Sequence, residues 1–225
     1  MKMLEYITKS AANLLFESIT IHTIPVELVH AFSKNINIKN IAQRIEELVP
    51  SHLVKNIDVI YVANVKEFQK DGRTFNAMYK DGAIYISPEQ DNEADLLDDI
   101  IHEIAHSFEK EYYNILYEDE DLEREFLGKR KTLYFLLDES LLDMVYFKNP
   151  NYNAKFDDYM YNNVGYDKLR SLSSSLFYSP YAITSLREYW ANGFENYLLG
   201  DREKLRDLSP VLYTKIKNVI ENEES

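Results

Sequence analysis

The sequence predicts an α+β fold: a mostly helical domain with a small mixed β-sheet set just before one central helix. Three observations predict it. β-branched, alternating residues are confined to a short stretch, Ile57 to Ile86, interrupted by one Asp-Gly pair. Long segments on either side repeat apolar residues at helical spacing. The 225 residues show no internal repeat and supply ample chain for one core, with room for an appended helical subdomain.

Residues 1–50 read as N-terminal helices. Leu4, Ile7, Ala11, Leu14, Leu15 and Ile19 recur at helical spacing over residues 1 to about 20, and Pro25 breaks the run beyond them. From Val26 to Leu48 the pattern is helical again, through Leu28, Val29, Phe32, Ile41 and Ile45, until Pro50 and Ser51 end it. Residues 57–87 form the small sheet. Ile57–Val62 alternates as a strand, and Ala77–Tyr79 and Ala83–Ile86 flank Lys80-Asp81-Gly82, a hairpin signal. Ser87-Pro88 stops the second hairpin strand, and Asp91 or Asn92 can cap the helix of residues 91–111.

Residues 112–177 are expected to be an insertion or lid. Tyr117–Glu125 is an acidic run that reads as a solvated helix start or loop. Leu127–Phe147 reads as helix, and Pro150–Ser175 as loop with one short helix. Residues 178–225 carry the C-terminal helices. One spans Glu188–Leu199, with Trp190, Ala191, Phe194, Tyr197 and Leu198 inward and Gly200 at its end. The last starts at Ser209-Pro210 and runs through Leu212, Ile216, Val219 and Ile220.

Composition narrows the function classes. No cysteine is present, so there is neither a disulfide framework nor a thiolate metal ligand. Any metal site must use His, Asp or Glu. The net charge of −13 argues against a nucleic-acid footprint and favours a non-sticky protein or a cationic partner. Glu5, Lys9 and Ser10 interrupt any signal-peptide core near the start, and no apolar run is long enough to span a bilayer. The expected compartment is therefore the cytoplasm of a microbe or of a virus-infected cell, with no membrane partner. The 18 tyrosines read chiefly as packing residues, with the lining of a peptide groove as the functional alternative.

The stretch that carries chemistry is Ile100-Ile101-His102-Glu103-Ile104-Ala105-His106-Ser107-Phe108, which contains the pattern H-E-x-x-H. On a helix, His102 and His106 lie one turn apart on one face and can hold one zinc ion, while Glu103 can reach a zinc-bound water. A pattern with three fixed positions arises by accident in about one chain of this size in a hundred. The competing reading is a surface helix with two titrating histidines, and the face of the helix argues against it. With His102 at zero, His106 falls near about 40° and Glu103 near about 100°, whereas Leu97, Ile100, Ile101, Ile104 and Phe108 cluster at about 160° to 260°. The apolar stripe faces the core and the imidazoles face away from it. His22, His30 and His52 lack mutual ligand spacing and read as structural or exposed.

A catalytic zinc takes three protein ligands and keeps one open position. With no free cysteine and no fitting downstream histidine, the third ligand is expected to be a carboxylate. The metzincin pattern is excluded, because Glu109 and Tyr112 stand where its Gly and third His would fall. Two carboxylates compete. Glu139 lies in Asp138-Glu139-Ser140-Leu141-Leu142-Asp143, which resembles the third-ligand helix of thermolysin-like peptidases. Glu188 lies in the segment Tyr181-Ala182-Ile183-Thr184-Ser185-Leu186-Arg187-Glu188-Tyr189-Trp190-Ala191-Asn192-Gly193-Phe194.

That second segment resembles a signature of the anthrax lethal factor catalytic-domain group, which includes the clostridial Pro-Pro endopeptidases and phage and bacterial relatives. The resemblance covers the hairpin, the H-E-x-x-H helix and this segment, roughly 60 residues. It implies a zincin-like fold, Glu188 as third ligand, and Tyr181, seven residues earlier, facing the active site. Ser185 would cap the helix that bears Glu188. Glu188 is favoured over Glu139 because one segment then supplies both a ligand and a placed phenol. Two departures stand out. The stretch between His106 and Tyr181 is longer than the group's, which implies an insertion. Asn192 stands where the group often has a second Glu, which implies different support for the ligands.

The expected activity is that of a gluzincin-type zinc metalloendopeptidase with Zn2+ on His102, His106 and Glu188. Glu103 would serve as general base and Tyr181 as hydrogen-bond donor to the oxyanion. The expected partner is a peptide or protein substrate, and no feature specifies an oligomeric state. Two other readings are a binding or virion-associated protein with weak or lost catalysis, and a toxin-like effector protease.

Overall fold

The sheet is assembled from pieces far apart in the chain. The computed structural model describes residues 19–34, 36–70, 73–137 and 142–222. Strands β1 (Ile19–Ile21), β2 (Ile24–Leu28) and β3 (Val59–Val62) are followed by a two-residue ladder of β4 (Gln69–Lys70) and β5 (Arg73–Thr74), then by the hairpin β6 (Ala77–Lys80) and β7 (Ala83–Ile86). The main sheet has the order β1-β2-β3-β7-β6. β2, β3 and β7 run parallel, and the two outer pairings are antiparallel. The Asp81-Gly82 turn forms as the sequence requires, with φ 50° and 81° at the two positions.

The strand register buries one face. Ile60, Val62, Ile84 and Ile86 are fully buried, while Tyr61 and Tyr85 stack on the opposite face with ring centroids 5.5 Å apart. Against the buried face pack α1 (Ile38–Leu48), through Ile41 and Ile45, and the motif helix α2 (Glu93–Phe108), through Leu96, Ile100, Ile101 and Ile104. Asn37 caps α1 and Asn92 caps α2, each with its side chain accepting from two backbone N–H groups of the first turn.

The N-terminal expectation is corrected in part. Leu4 to Leu15 lie outside the described residues, but Ile19 sits in β1, and Val26 and Leu28 sit in β2. The helical spacing read across Val26–Leu48 is therefore a strand, a connecting loop and a helix. The parallel pairing of Val26 with Ile60 and of Leu28 with Val62 decides the matter, and that partner lies more than thirty residues away.

Within residues 112–177, Pro150–Ser175 is more helical than expected, whereas the helix expected over Leu127–Phe147 stops at Leu136, with a separate short helix at Met144–Phe147. Residues 112–177 contain α3 (Tyr113–Tyr117), α4 (Asp121–Leu136), α5 (Met144–Phe147), α6 (Ala154–Asp158), a π-type turn at Tyr159–Val164 and α7 (Tyr166–Ser173). Leu122, Phe126, Leu133, Phe147 and Phe156 belong to the core, so the segment is not a loop-heavy excursion. Arg130 is fully buried. It donates to the carbonyls of Tyr146 and Asn149 at 2.7 Å and lies 3.8 Å from the Phe156 ring centroid.

The acidic run ends in a structural clamp, not a solvated face. Glu125 accepts hydrogen bonds from the Tyr189 hydroxyl at 2.8 Å and from the backbone N–H groups of Val211 and Leu212. It thereby ties α4 to α8 (Leu186–Leu199) and caps the first turn of α10 (Pro210–Glu221), which comes after α9 (Arg202–Leu208). Ser209, expected as the cap of α10, instead accepts from Lys129 Nζ at 2.8 Å. More than half of the described residues are helical, and no described helix is long and apolar enough to cross a membrane.

Candidate metal centre

Two helices cross to make the site. α2 and α8 pack against each other through Phe108, Trp190 and Phe194, whose rings meet edge-on at 5.2 and 6.0 Å from Phe108. Trp190 Nε1 donates to the buried carbonyl of Ala105 at 3.2 Å, which fixes the rotation of one helix on the other. With Trp190 pointing into α2, Glu188 two residues earlier reaches over the histidine face. Ser185 Oγ accepts from Glu188 N at 3.2 Å, so the expected cap sets where this helix begins.

His102, His106 and Glu188 converge. One ligand atom from each lies within 4.8 Å of the others. His102 Nε2 is 3.0 Å and His106 Nε2 is 3.5 Å from the same carboxylate oxygen, Glu188 Oε2. A tetrahedral zinc with bonds of about 2.0–2.2 Å keeps its ligand atoms about 3.3–3.6 Å apart, so the two imidazole–carboxylate distances are close to the spacing the ion needs. The far nitrogens carry a second feature. His102 Nδ1 faces Glu195 Oε2 at 3.4 Å, and His106 Nδ1 faces Glu109 Oε2 at 3.6 Å. Each ring thus has a carboxylate on its Nδ1 side, within hydrogen-bond reach at His102 and just beyond it at His106, whose Nδ1 has no hydrogen-bond partner. A proton kept on Nδ1 leaves the Nε2 lone pair facing the shared centre, free for a metal.

Glu109 is itself held, by the Tyr117 hydroxyl at 2.6 Å and by Arg187 Nε at 2.9 Å. Burial alone would push the His102 ring down, but hydrogen bonding to Glu188 and Glu195 holds it up at about 10. The same balance of burial against carboxylate contacts raises His106. Burial would raise Glu188, but its contacts with the two imidazoles hold it well below the usual carboxylate range. The trio thus favours positive charge at its centre, whether protons on the rings or a cation between them carries it.

The remaining expected residues also reach the site. Glu103 accepts from the backbone N–H of Tyr79, on edge strand β6, at 2.7 Å. Tyr181 opens the short 3-10 turn before α8, and its ring centroid lies 5.8 Å from that of His102. Tyr181 is 41% exposed overall, but loss of solvent around its hydroxyl, then the carboxylates of Glu188 and Glu103, lift its pKa above the ordinary phenol range, so it keeps its proton. The rival ligand Glu139 lies outside the described residues.

No protein-family model, curated protein or solved structure matches this chain.

Several neighbours of the site are not evident from sequence reasoning. Glu195 lies seven residues beyond Glu188, two turns on the same face, which is the signal that could have found it. Glu109 lies three residues beyond His106, and its sequence signal is only the departure from the metzincin pattern. Cavities flank the trio on two sides. One of about 880 Å3 includes Glu109, Tyr117, Tyr152, Arg187 and Glu188 in its wall. Another of about 390 Å3 includes Asp98, Asp99, Asn192 and Glu195. Burial, followed by the neighbouring Glu195, raises Asp98 to about 6, and burial raises Asp99 to about 7.

Proposed function

We propose that this protein is a zinc-dependent peptidase of zincin-like fold, with His102, His106 and Glu188 as the metal ligands. The observation that carries the reading is the convergence of the two imidazoles: each presents Nε2 to Glu188 and turns Nδ1 toward a separate carboxylate, at 3.4 Å for His102 and 3.6 Å for His106. A surface helix with two titrating histidines gives no reason for both rings to close on one carboxylate oxygen. When bound, zinc supplies Lewis acidity, lowering the pKa of a coordinated water and polarising the scissile carbonyl.

The chain's own residues perform the rest of the reaction. Glu103 sits beside the ligands but not among them, and its bond to Tyr79 N–H holds the carboxylate between α2 and the edge strand. It takes a proton from the attacking water as the water oxygen bonds to the carbonyl carbon. It then returns that proton to the nitrogen as the C–N bond breaks. Tyr181, protonated, donates to the carbonyl oxygen as negative charge develops there. β6 presents its outer edge to the cleft. Because Lys80 and Ala83 pair next to the turn, Ala77 and Tyr79 point their backbone groups away from β7; the Tyr79 N–H is taken by Glu103, which leaves the edge beside Ala77 for an extended peptide to pair.

The test is metal binding and peptide cleavage by three proteins. The zinc-loaded native protein should cut members of a randomised peptide mixture. Glu103→Gln should bind zinc equally well and lose at least about a hundredfold in turnover, while Glu188→Ala should lose zinc affinity. Undiminished cleavage by Glu103→Gln would overturn the mechanism. Zinc binding without cleavage by the native protein would leave a binding protein in place of an enzyme.

A further inference from the structure

The smaller cavity lies along the N-terminal half of α2 and has an unusual wall. Asp98 and Asp99 enter it from α2, and Asn192 and Glu195 from α8. Among the described residues that line it there is no lysine or arginine, and its one basic side chain, His102, is turned to Glu188 and Glu195. Its acceptors are also short of donors. Asn192 is 5% exposed, and its Oδ1 has no hydrogen-bond partner. The amide cannot simply be turned round, because Nδ2 faces the acceptor-only carboxylate of Glu195 at 3.4 Å. Asp99 Oδ2 is likewise buried without a partner, as is the hydroxyl of Ser179 in the same wall. Unmade hydrogen bonds of this kind are costly unless a ligand completes them.

A positively charged donor fits this set best, since the carboxylates and Asn192 Oδ1 accept and the Ser179 hydroxyl can accept as well. A second metal ion is a poor candidate, since among the described residues only His102, His106 and Glu188 bring three ligand atoms together. A lysine ammonium, with three donors, or an arginine guanidinium, with five, meets the need. The position of Glu103 says which substrate residue would carry it. Glu103 lines this cavity and not the larger one beyond Glu188. The nitrogen of the scissile bond must reach Glu103 to collect its proton, so the amine half of the substrate lies on this side.

We propose that the cavity is the pocket for the residue that immediately follows the scissile bond, and that it accepts lysine or arginine. The proposal rests on the peptidase reading and adds the substrate class. Asp99 and Asp98 pair with the cation, and Asn192 Oδ1 accepts one of its hydrogen bonds. The apolar stem of the side chain passes Phe75 and Ala77.

The experiment has a cleavage arm and a binding arm. In the first, the zinc-loaded protein is incubated with randomised dodecapeptides, and the cut positions are read by mass spectrometry. Lysine and arginine should follow the cut at least tenfold more often than leucine or norleucine. The double variant Asp98→Asn/Asp99→Asn should lose at least tenfold of that preference. In the second arm, Glu103→Gln protein is titrated with acetyl-Ala-Ala-Lys-Ala-amide and with its norleucine twin, and the lysine peptide should bind at least tenfold more tightly. Efficient cleavage before apolar residues, or a preference unchanged in the double variant, overturns the pocket while the peptidase reading stands. No cleavage of any peptide, with lysine still preferred in binding, overturns the peptidase reading but keeps the cation pocket. Equal affinities for the two peptides overturn the pocket outright.

Discussion

Asp99→Asn should stabilise the metal-free protein at neutral and alkaline pH, by an amount the site itself sets. Burial pushes the Asp99 carboxyl up to about 7 from an ordinary 3.8. The folded group therefore holds its proton where the unfolded one has lost it. Across that window the unfolded chain binds fewer protons, so stability falls as pH rises from about 4 through about 7. The full gap corresponds to about 4 kcal/mol as a ceiling. Water entry and relaxation in an open cavity reduce this to about 1–2 kcal/mol. Asparagine is close in size and still offers an oxygen acceptor to Gln90, whose amide interacts with Asp99. For a chain of this length the gain corresponds to a rise in Tm of about 2–8 °C. Thermal unfolding in excess chelator at pH 8 should show it, and the same scan at pH 4 should show most of it gone. An equal gain at both pH values would mean that packing, not charge, is responsible. A loss at pH 8 would refute the reasoning.

The geometry supports three further outcomes. Tyr181→Phe should lower turnover about a hundredfold with zinc content unchanged, because only the oxyanion donor is removed; peptide kinetics and metal analysis check it. Glu195→Gln should weaken zinc affinity by about tenfold or more, read by competition with a chelating dye, since the His102 ring loses the charged group behind Nδ1. Gly193→Ala should cost about 1–3 kcal/mol in denaturant unfolding. A Cβ there would run into the side chain of Leu212, including Cγ at 2.8 Å, and α10 must move away from α8.

The legibility of the chain depends on the range of the interactions that shape it. Asn92, Ser185 and the Asp81-Gly82 turn act on neighbours within a few residues, and their effects on α2, α8 and the hairpin are legible in the sequence. The histidine face is legible for the same reason, since helical periodicity alone separates it from the apolar stripe. β2 is not legible. Its apolar residues fit either period, and the choice is made by β3, across α1 and its loops. Glu125 reads as solvated because nothing local shows that Tyr189 and the first turn of α10 close over it. Asp98 and Asp99 carry no local signal of the cavity for the same reason, because it forms only when α8 is laid against them.

The placement of Trp190 explains why the site and the core stand or fall together. Glu188 has no direct tether to α2 other than the imidazoles it meets, and those contacts hold three mutually dependent buried charges. Such a cluster is a poor source of fold stability, because burying the charges offsets much of their attraction. The crossing of α2 and α8 must therefore be fixed by something else. Phe108, Trp190 and Phe194 fix it, with the indole hydrogen bond to Ala105 setting the register of one helix on the other. This apolar contact holds Glu188 near Nε2 of both rings before any cation arrives. The acidic cavity beside it has no such support from its own residues. Its unpaired acceptors are borne by the same helix crossing, which is why removing Asp99 should stabilise the fold even as it strips the cleft of its preference for a cation.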